Sequence, residues 1–393
     1  MTAITQYGTR RLWVASSLLA ISLLCLAAGD ASAHTVTVGQ SKIEQEDGEV
    51  RYELAVEYHE LMQRVGLAGP SGALPPPESP DAELTATLAD REDALAEYLG
   101  TRIRVFLDGV GCEHALRSTD VVRFQGVVYA VASLAYECPG SPSGAYEIHY
   151  ELLFDEASMR HGLAHSNVAD YELDGESGRF LFEPRNRVLA AGETSVWSSS
   201  WRFVLVGIEH ILKGLDHVLF VLVLLLGASR LMSVVRVVGA FTVAHSLTLA
   251  LASTGWVNVS PAIVEPLIAL SIAYVAIENI LRGEPKHRLL VVFGFGLIHG
   301  LGFASTLSFS DDVSWRFLSS LFAFNVGIEV GQLLIILSIG PLIFFARRLS
   351  KRQGAEPGDV TIRARWSRFA LTGASGVVAS LGFLWFFERL LAA

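Results

Sequence analysis

The sequence predicts a multi-domain protein in which an extracytoplasmic, mainly-β sandwich precedes an all-α bundle of six transmembrane helices. Its 393 residues are 51% hydrophobic and 18% charged, with a mean hydropathy of +0.42. This composition is too apolar for an ordinary soluble protein and too charged for a bundle of spans alone. Charge also divides the chain, because residues 34–200 carry 28 acidic and 12 basic residues whereas residues 201–393 carry 11 and 16.

Residues 1–33 are typical of a secretory signal peptide. Arg10 and Arg11 precede the apolar run LWVASSLLAISLLCLAA, and the small residues of ASAH favour cleavage after Ala33. An uncleaved membrane anchor is the alternative. Cleavage would leave His34 at the N-terminus, where its amine and imidazole can chelate a transition-metal ion. A frayed terminus without a ligand is the simpler interpretation.

Residues 34–200 contain short β-rich runs separated by Gly, Asp and Pro, a pattern that predicts a β-sandwich. The runs are HTVTVGQSKIEQ, VRYELAVEYHEL, RIRVFLDG, GVVYAVASLAYEC, AYEIHYELLF, GRFLFEP and RVLAAGETSVW. The segment DAELTATLADREDALAEYLG interrupts them and is predicted to be a helical insert. Its apolar residues have helical spacing, and they are Leu84, Leu88, Leu95 and Leu99.

Cys112 and Cys138 are the cysteines that follow the predicted signal peptide. In an oxidising compartment they predict one disulfide bond, and two separate buried thiols are the alternative. The same region shows no catalytic motif. His161 and His165 could share a helical face as metal ligands, although a solvated loop is the simpler interpretation.

Six apolar segments make up most of residues 201–393, each long enough to cross about 30 Å of hydrocarbon at about 1.5 Å per residue. They lie near 203–229, 234–254, 262–282, 288–307, 316–346 and 368–390. Basic residues concentrate in the loops after the first, third and fifth segments, whereas STGWVNVSP has none and SFSDDVSWR is net acidic. Because positively charged loops lie inside, the N-terminal domain and the C-terminus are predicted to be extracytoplasmic.

Ionisable residues inside membrane spans are costly and usually functional. His217, His245, His299 and Glu329 come from four different predicted spans. At the rise of an α-helix they lie about 21, 14, 17 and 20 Å from one end of their spans, in the middle third of about 30 Å of hydrocarbon. The sequence therefore predicts one shared site near the bilayer midplane.

Other polar residues are predicted to complete this site. His210 precedes His217 by seven residues, so it shares that helix face two turns nearer the outside, as a ligand at the entrance. Asp216 could fix the histidine tautomers or contribute an oxygen, and Lys213 could balance its charge. The supporting residues are Asn325, Gln332, Ser246 and Glu278. Hydrogen bonding between helices, or headgroup-level solvation for Glu278, is the alternative.

Glycines and ligand chemistry agree with a metal site. Small residues let helices approach closely, and those beside the polar set are Gly214, Gly294, Gly296, Gly300, Gly302 and Gly327. Imidazole with a few carboxylates suits borderline divalent ions such as Ni²⁺, Co²⁺ and Zn²⁺. Secondary transporters bind their substrates near the bilayer midplane.

The motif HILKGLDH resembles the first-span signature His-Pro-x-x-Gly-x-Asp-His of the HupE/UreJ family of nickel/cobalt membrane proteins. The matching residues are His210, Gly214, Asp216 and His217, with Ile211 at the proline position. FTVAHSLTLALA is similar to the second-span pattern of the family through its histidine and serine.

The motif IHGLGFA is similar to part of the family signature Phe-His-Gly-x-Ala-His-Gly-x-Glu. His299 and Gly300 match, while Phe303 stands where the family has its second histidine. Glu329 is expected to supply the carboxylate from another span. With its large N-terminal domain, the chain resembles the second HupE/UreJ subfamily.

The resemblance implies a multi-pass permease of the bacterial inner membrane that transports Ni²⁺ or Co²⁺ and holds no tightly bound cofactor. One alternative is an intramembrane hydrolase in which Zn²⁺ activates water. The other is a non-transporting accessory protein that delivers metal to a metalloenzyme maturation partner. The expected partners are a divalent metal ion and the lipid bilayer, with no nucleic acid.

Overall fold

The computed structural model describes residues 38–46, 48–66, 74–124, 126–140, 143–154, 165–191, 196–281, 285–302, 315–352 and 359–392. The predicted signal peptide, His34, His161 and Phe303 lie outside these ranges, and so do the predictions made for them.

The N-terminal region is rich in β-sheet. Its strands are β1 (Val38–Glu46), β2 (Glu49–Glu57), β3 (Ile103–Leu107), β4 (Val110–Gly111), β5 (Glu113–Phe124), β6 (Val127–Glu137), β7 (Tyr146–Tyr150), β8 (Ser166–Leu173), β9 (Glu176–Phe182) and β10 (Val188–Ala190). Three helices lie between β2 and β3, namely α1 (Tyr58–Gly66), α2 (Asp81–Ala89) and α3 (Glu92–Arg102).

The strands form a six-stranded sheet in the order β5-β6-β2-β1-β8-β9 and a four-stranded sheet in the order β10-β7-β3-β4. Neighbouring strands are antiparallel except β1 and β8, which are parallel. Buried side chains of both sheets, such as Tyr52 and Ile148, belong to one hydrophobic core. The Tyr136 hydroxyl of β6 donates a hydrogen bond of 2.9 Å to the Ile103 carbonyl of β3 and thereby ties the two sheets together.

One local prediction for this region needs adjustment. The run VRYELAVEYHEL, predicted as one strand, ends as a strand at Glu57 and continues as helix α1. Tyr58, Leu61 and Met62 are all buried, and their spacing is that of one helix face. The predicted helical insert is confirmed as α2 and α3. Strands β5 and β8 were not predicted. Strand β5 is largely exposed and β8 buries consecutive residues, so neither shows a regular alternation of buried and exposed side chains.

Cys112 and Cys138 form the predicted disulfide bond, so the alternative of two separate thiols is wrong. The bond links the start of β5 to the end of β6, which are paired strands. Closing a loop across 26 residues restricts the unfolded chain and stabilises the folded one.

The C-terminal region is helical. Its helices are α4 (Val196–Lys213), α5 (Leu215–Gly227), α6 (Leu231–Ser253), α7 (Pro261–Leu281), α8 (Arg288–Leu301), α9 (Trp315–Arg352) and α10 (Asp359–Ala392). Among the described residues, four segments are long and apolar enough to cross a membrane, namely Leu231–Ser253, Pro261–Leu281, Phe317–Phe345 and Leu371–Leu391. The pair α4–α5 makes a fifth if it crosses as one unit, and the apolar helix α8 has 14 residues.

The first predicted span, 203–229, is not one straight helix. Helices α4 and α5 meet at Gly214, and their axes differ in direction by 71°. The Gly214 amide still bonds to the His210 carbonyl at 2.9 Å, and the Val218 amide bonds to the Gly214 carbonyl at 3.0 Å. The chain therefore turns sharply inside an apolar segment while it keeps backbone hydrogen bonds on both sides of the turn.

Strands β8 and β9 hold the sheet region against the helices. Val168 and Leu181 belong to the hydrophobic core of the helical region rather than to that of the sheets. The Arg179 guanidinium lies 5.1 Å from the ring centroid of Phe317 in α9, and the Asp170 carboxylate holds it at 2.7 Å. These contacts set β9 against the first turn of α9.

Burial of His165 makes the sheet region sensitive to acid. The side chain is 1% exposed, its Nε2 lies 2.9 Å from the Tyr150 hydroxyl, and burial lowers its pKa from 6.5 to about 3. Below pH 6.5 the unfolded chain takes up a proton at this histidine, whereas the folded chain does so only near pH 3. Stability is therefore lost as the pH falls through this window.

We expect the substitution His165→Gln to flatten this pH dependence, because glutamine can still bond to Tyr150 but does not titrate. In the wild-type chain each pH unit below the unfolded pKa removes up to about 1.4 kcal/mol from the free energy of unfolding. Thermal unfolding of the full chain in detergent at several pH values between 7 and about 4 measures the effect. His149→Gln, at a partly exposed histidine, is the matched control. A wild-type slope in His165→Gln would contradict the prediction.

Candidate functional site

Four histidine side chains from helices α4, α5, α6 and α8 lie in one cluster. The ring centroids of His210 and His217 are 4.8 Å apart, and those of His217 and His299 are 5.5 Å apart. The Phe241 ring lies 5.0 Å from His299 and stacks on His245 at 6.0 Å. The structure thus brings together the four histidines that the sequence singled out.

The bend at Gly214 creates the first pair of rings. In a straight helix, residues seven apart are separated by about 10 Å along the axis. The ring centroids of His210 and His217 are only 4.8 Å apart, so the expectation that His210 lies two turns from His217 is wrong. A Cβ atom at position 214 would lie 2.7 Å from Nδ1 of His217 and 2.8 Å from the His210 carbonyl oxygen. The φ of Gly214 is −70°, a value that other residues also adopt. Glycine is therefore required here by the lack of room for a side chain and not by its backbone conformation.

Two glycines let α8 approach α6 closely enough to place His299 near His245. A Cβ atom at Gly296 would lie 2.5 Å from the Phe241 carbonyl oxygen, and one at Gly300 would collide with the His245 carbonyl. Glycines four residues apart are a recurrent device for close packing of membrane helices.

Helices α4 and α9 approach each other in the same way. A Cβ atom at Gly327 would lie 3.0 Å from the Gly207 Cα atom, and each position faces a backbone carbonyl of the other helix. This contact places Phe324 of α9 beside His210, with 5.6 Å between their ring centroids. Gly294 differs from these glycines, since no atom of the described residues, apart from its chain neighbours and the nearby backbone of α8, lies within 4 Å of its Cβ position.

The imidazoles of the cluster carry unused hydrogen-bonding groups. His245 and His299 are only 1% and 2% exposed. Across the residues that the structure describes, both ring nitrogens of His217 and of His245 lack a hydrogen-bond partner, as does Nδ1 of His299. Buried polar atoms in proteins are nearly always paired, so these five nitrogens in one cluster indicate a site for a ligand.

Ser271 contacts His299. Its hydroxyl lies 2.6 Å from the Ile268 carbonyl oxygen and 3.0 Å from Nε2 of His299. A hydroxyl that donates its one proton to the carbonyl can accept a hydrogen bond from Nε2–H of His299. In that tautomer Nδ1 keeps the lone pair that a metal ion requires.

Asp216 pairs with an arginine that the sequence did not connect to the site. Its Oδ2 is 2.8 Å from Nη2 of Arg389, near the end of α10. Its other oxygen, Oδ1, is buried and has no hydrogen-bond partner among the described residues. Lys213, the expected counter-charge, pairs instead with Glu209.

Glu329 lies apart from the histidines. Its Oε1 is 3.9 Å from the Cβ position of Gly239, which precedes His245 by six residues, or about 9 Å along α6. The described residues contain no group of three or more His, Cys, Asp or Glu side chains that could hold a metal ion in this conformation. The convergence of Glu329 with the histidine set is therefore not observed here.

Three of the predicted supporting residues make ordinary hydrogen bonds within or between helices. The Thr242 hydroxyl donates to Oε1 of Gln332 at 2.9 Å and joins α6 to α9. Asn325 donates to the Leu321 carbonyl at 2.8 Å, and Ser246 donates to the Thr242 carbonyl at 2.7 Å. These bonds match the alternative of helix–helix and intrahelical hydrogen bonding.

Glu278 belongs to a separate cluster. Its Oε2 accepts hydrogen bonds from Nε and Nη2 of Arg288 at 3.2 and 3.1 Å, and both side chains are 4% exposed. Arg288 also donates to Asn279, which in turn donates to the Val223 carbonyl. Headgroup-level solvation is therefore wrong for Glu278, which joins α5, α7 and α8 about 10 Å along α7 from Ser271.

The spacing of the histidine rings suits a metal ion shared by two ligands. With metal–nitrogen bonds of about 2.1 Å, two imidazoles on one tetrahedral ion have ring centroids about 5 Å apart. The pairs His210–His217 and His217–His299, at 4.8 and 5.5 Å, are close to that value. His217 is common to both pairs.

Sequence reasoning missed Arg389, Phe220 and Phe241. Phe220 and Phe241 lie 5.4 and 5.0 Å from His299 and form an apolar wall around it. Their spacing from His217 and His245, three and four residues along the same helices, could have indicated them. Arg389 lies 173 residues from its partner Asp216, so local pattern could not connect them.

Comparison with known proteins assigns the helical region to a family. A search of curated proteins finds no match to the chain. The family model described as HupE / UreJ protein matches residues 186–389, which is more than half of the chain. That range contains all four clustered histidines, Asp216 and Arg389. The chain is a multi-pass membrane protein that belongs to the HupE/UreJ family.

Proposed function

We propose that the protein is a permease for a divalent transition-metal ion, Ni²⁺ or Co²⁺, whose path is lined by the cluster of His210, His217, His245 and His299. The observation that carries this proposal is the set of five buried ring nitrogens without hydrogen-bond partners in the described residues. Neutral imidazole suits borderline divalent ions. Membership of the HupE/UreJ family, which is linked to nickel and cobalt transport, supports the same metals.

In this proposal the ion is bound by two imidazoles at a time and passes between pairs. His217 takes part in both pairs, at 4.8 Å from His210 and 5.5 Å from His299. Asp216, next to it in the chain, contributes negative charge through its buried Oδ1. Binding by few ligands keeps the ion weakly held, which a transporter needs in order to release it.

The topology we propose has a cleaved signal peptide at 1–33, an extracytoplasmic β-sandwich at 34–200 and six spans within 201–393 of the inner membrane. The six spans are the bent pair α4–α5, the four long helices and α8. Support comes from the basic loops, which belong on the cytoplasmic side. In this arrangement β9, which contacts the first turn of α9, lies on the extracytoplasmic side of the helices.

The contact between Ser271 and His299 is the observation that favours the alternative of an intramembrane zinc hydrolase. In that alternative Zn²⁺ activates water, and a catalytic zinc ion takes three protein ligands. Within the part of the chain that the structure describes, no group of three or more His, Cys, Asp or Glu side chains could hold a metal ion. Ser271 lies 3.0 Å from Nε2 of His299, where it can orient the ring, so we prefer the permease.

Metal accumulation in cells tests the proposal. Nickel, cobalt and zinc are measured by mass spectrometry in cells that express the wild type or His217→Ala at equal levels in the membrane. We expect wild-type cells to accumulate several-fold more nickel or cobalt than cells with the variant, because His217 belongs to both ring pairs. His149→Ala, in the sheet region, is the matched control and should accumulate metal like the wild type.

Each alternative has its own outcome in this experiment. Equal accumulation of all three metals by wild type and His217→Ala would exclude transport. Zinc that copurifies stoichiometrically with the wild type and is lost in His217→Ala would favour the hydrolase. Histidine-dependent binding of nickel or cobalt without accumulation would favour the accessory protein that delivers metal to a maturation partner.

A further inference from the structure

We propose that Arg389 is a built-in counter-cation of the metal path. It occupies Asp216 when no ion is bound, and an arriving divalent ion displaces it from that carboxylate. The inference rests on the proposed function, since it takes the cargo to be a cation bound at His217. It gives a role to the end of α10, a helix that contributes no histidine to the described cluster.

The Arg389 guanidinium is held in a defined place by groups from three helices. Nη2 lies 2.8 Å from Oδ2 of Asp216 in α5, and Nη1 donates to the Glu265 carbonyl of α7 at 3.2 Å. The guanidinium also lies 5.9 Å from the ring centroid of Trp385. Close packing supports this placement, because a Cβ atom at Gly382 would lie 2.9 Å from the backbone of α7.

Asp216 contacts this guanidinium and adjoins His217 in the chain. Its Oδ2 is used by Arg389, whereas its Oδ1 is buried without a hydrogen-bond partner among the described residues. The next residue is His217, whose two ring nitrogens also lack partners there. Because one carboxylate oxygen is engaged and the other is unused, Asp216 can exchange one cation partner for another while its own position stays the same.

Electrostatics makes the two cations competitors. A guanidinium keeps its charge at any physiological pH, and the Asp216–Arg389 pair is only 19% and 15% exposed. At an effective dielectric constant of about 20, a fixed positive charge about 10 Å from a divalent ion lowers its affinity by a factor of ten or more. Arg389 both repels the ion and neutralises the carboxylate that attracts it.

Competition of this kind serves a transporter. Without a counter-cation, Asp216 would be a buried unpaired charge in the empty protein and a trap for the ion in the loaded one. Arg389 removes both difficulties, because it pairs with the carboxylate before the ion arrives and after the ion leaves. Loading and release of the ion are thereby coupled to the contact between α10 and α5.

The test compares nickel binding to purified full-length protein in detergent, by titration calorimetry, with nickel accumulation in cells. We expect Arg389→Gln to bind nickel tenfold more tightly or better, and to accumulate less of it because release is slow. Arg389→Lys keeps the charge and should bind like the wild type. Adding Asp216→Asn to Arg389→Gln should remove the gain in affinity.

The outcomes separate this inference from the proposed function. If Arg389 only holds the helices together, Arg389→Gln should bind nickel more weakly and melt at a lower temperature. Unchanged or weaker binding in Arg389→Gln would overturn the inference, while wild-type binding that His217→Ala abolishes would leave the proposed function standing. Wild-type protein that shows no histidine-dependent binding of nickel or cobalt would overturn both.

Discussion

Replacing Gly214 by alanine is expected to weaken nickel binding by about a hundredfold, the order of loss that a displacement of about 1 Å causes at a preorganised site. The new Cβ atom would lie 2.7 Å from Nδ1 of His217 and 2.8 Å from the His210 carbonyl oxygen. The imidazole must turn away, and both ring pairs that share it are broken. Calorimetric titration of purified protein measures the loss of affinity.

Gly294→Ala is the matched control for this substitution. Position 294 lies in α8, the helix that carries His299. In the part of the chain that the structure describes, its Cβ position has open space beyond the local backbone of α8. The control protein should bind nickel as the wild type does. Wild-type affinity in Gly214→Ala would show that the bend is not what aligns His217, and equal losses in both variants would point to a general effect on folding.

Replacing Arg288 by methionine is expected to destabilise the helical region by about 3–5 kcal/mol, because it removes the guanidinium from the buried Glu278 carboxylate. Glu278 is 4% exposed by its side chain and takes two hydrogen bonds from Arg288. The neighbouring His287, 3.5 Å from that carboxylate, is 47% exposed and does not replace the two hydrogen bonds. Asn279 also loses the donor that holds it against α5. Unfolding of the purified protein in detergent, followed by circular dichroism, measures the change.

The double substitution Glu278→Leu with Arg288→Met is the control. It removes both charges together, and replacing a buried ion pair by apolar residues is often neutral or stabilising. We expect most of the lost stability to return. A double variant as unstable as Arg288→Met would show that the ion pair itself, and not the stranded carboxylate, is required.

The long apolar helices of the membrane part could be predicted from the sequence, because a lipid environment demands them. The predicted segments at 234–254 and 262–282 match α6 and α7 within a few residues. The four histidines could be selected for the same reason, since an ionisable group in an apolar span is costly and needs a purpose. The disulfide bond followed from the number of cysteines alone.

The sheet region was harder to predict because its strands depend on partners distant in the chain. β5 is an edge strand whose exposed side chains lack a regular alternation, and β1 pairs in parallel with β8, which begins more than a hundred residues later. Tyr58 lies at the junction where alternation gives way to helical spacing. A window of sequence that covers both patterns favours the wrong one.

Composition and spacing determined that this chain has a sheet-rich region before membrane helices, and that its polar intramembrane residues include His210, His217, His245 and His299. Only the tertiary structure decided how they meet. The 71° bend at Gly214 brings His210 onto His217, and the chain then places Arg389 on Asp216 from 173 residues away. Sequence patterns report which face of a local element a residue occupies. Contacts between elements depend on helix bends and on close approaches of helices. Both depend on single glycines, where a side chain would collide with a neighbouring group.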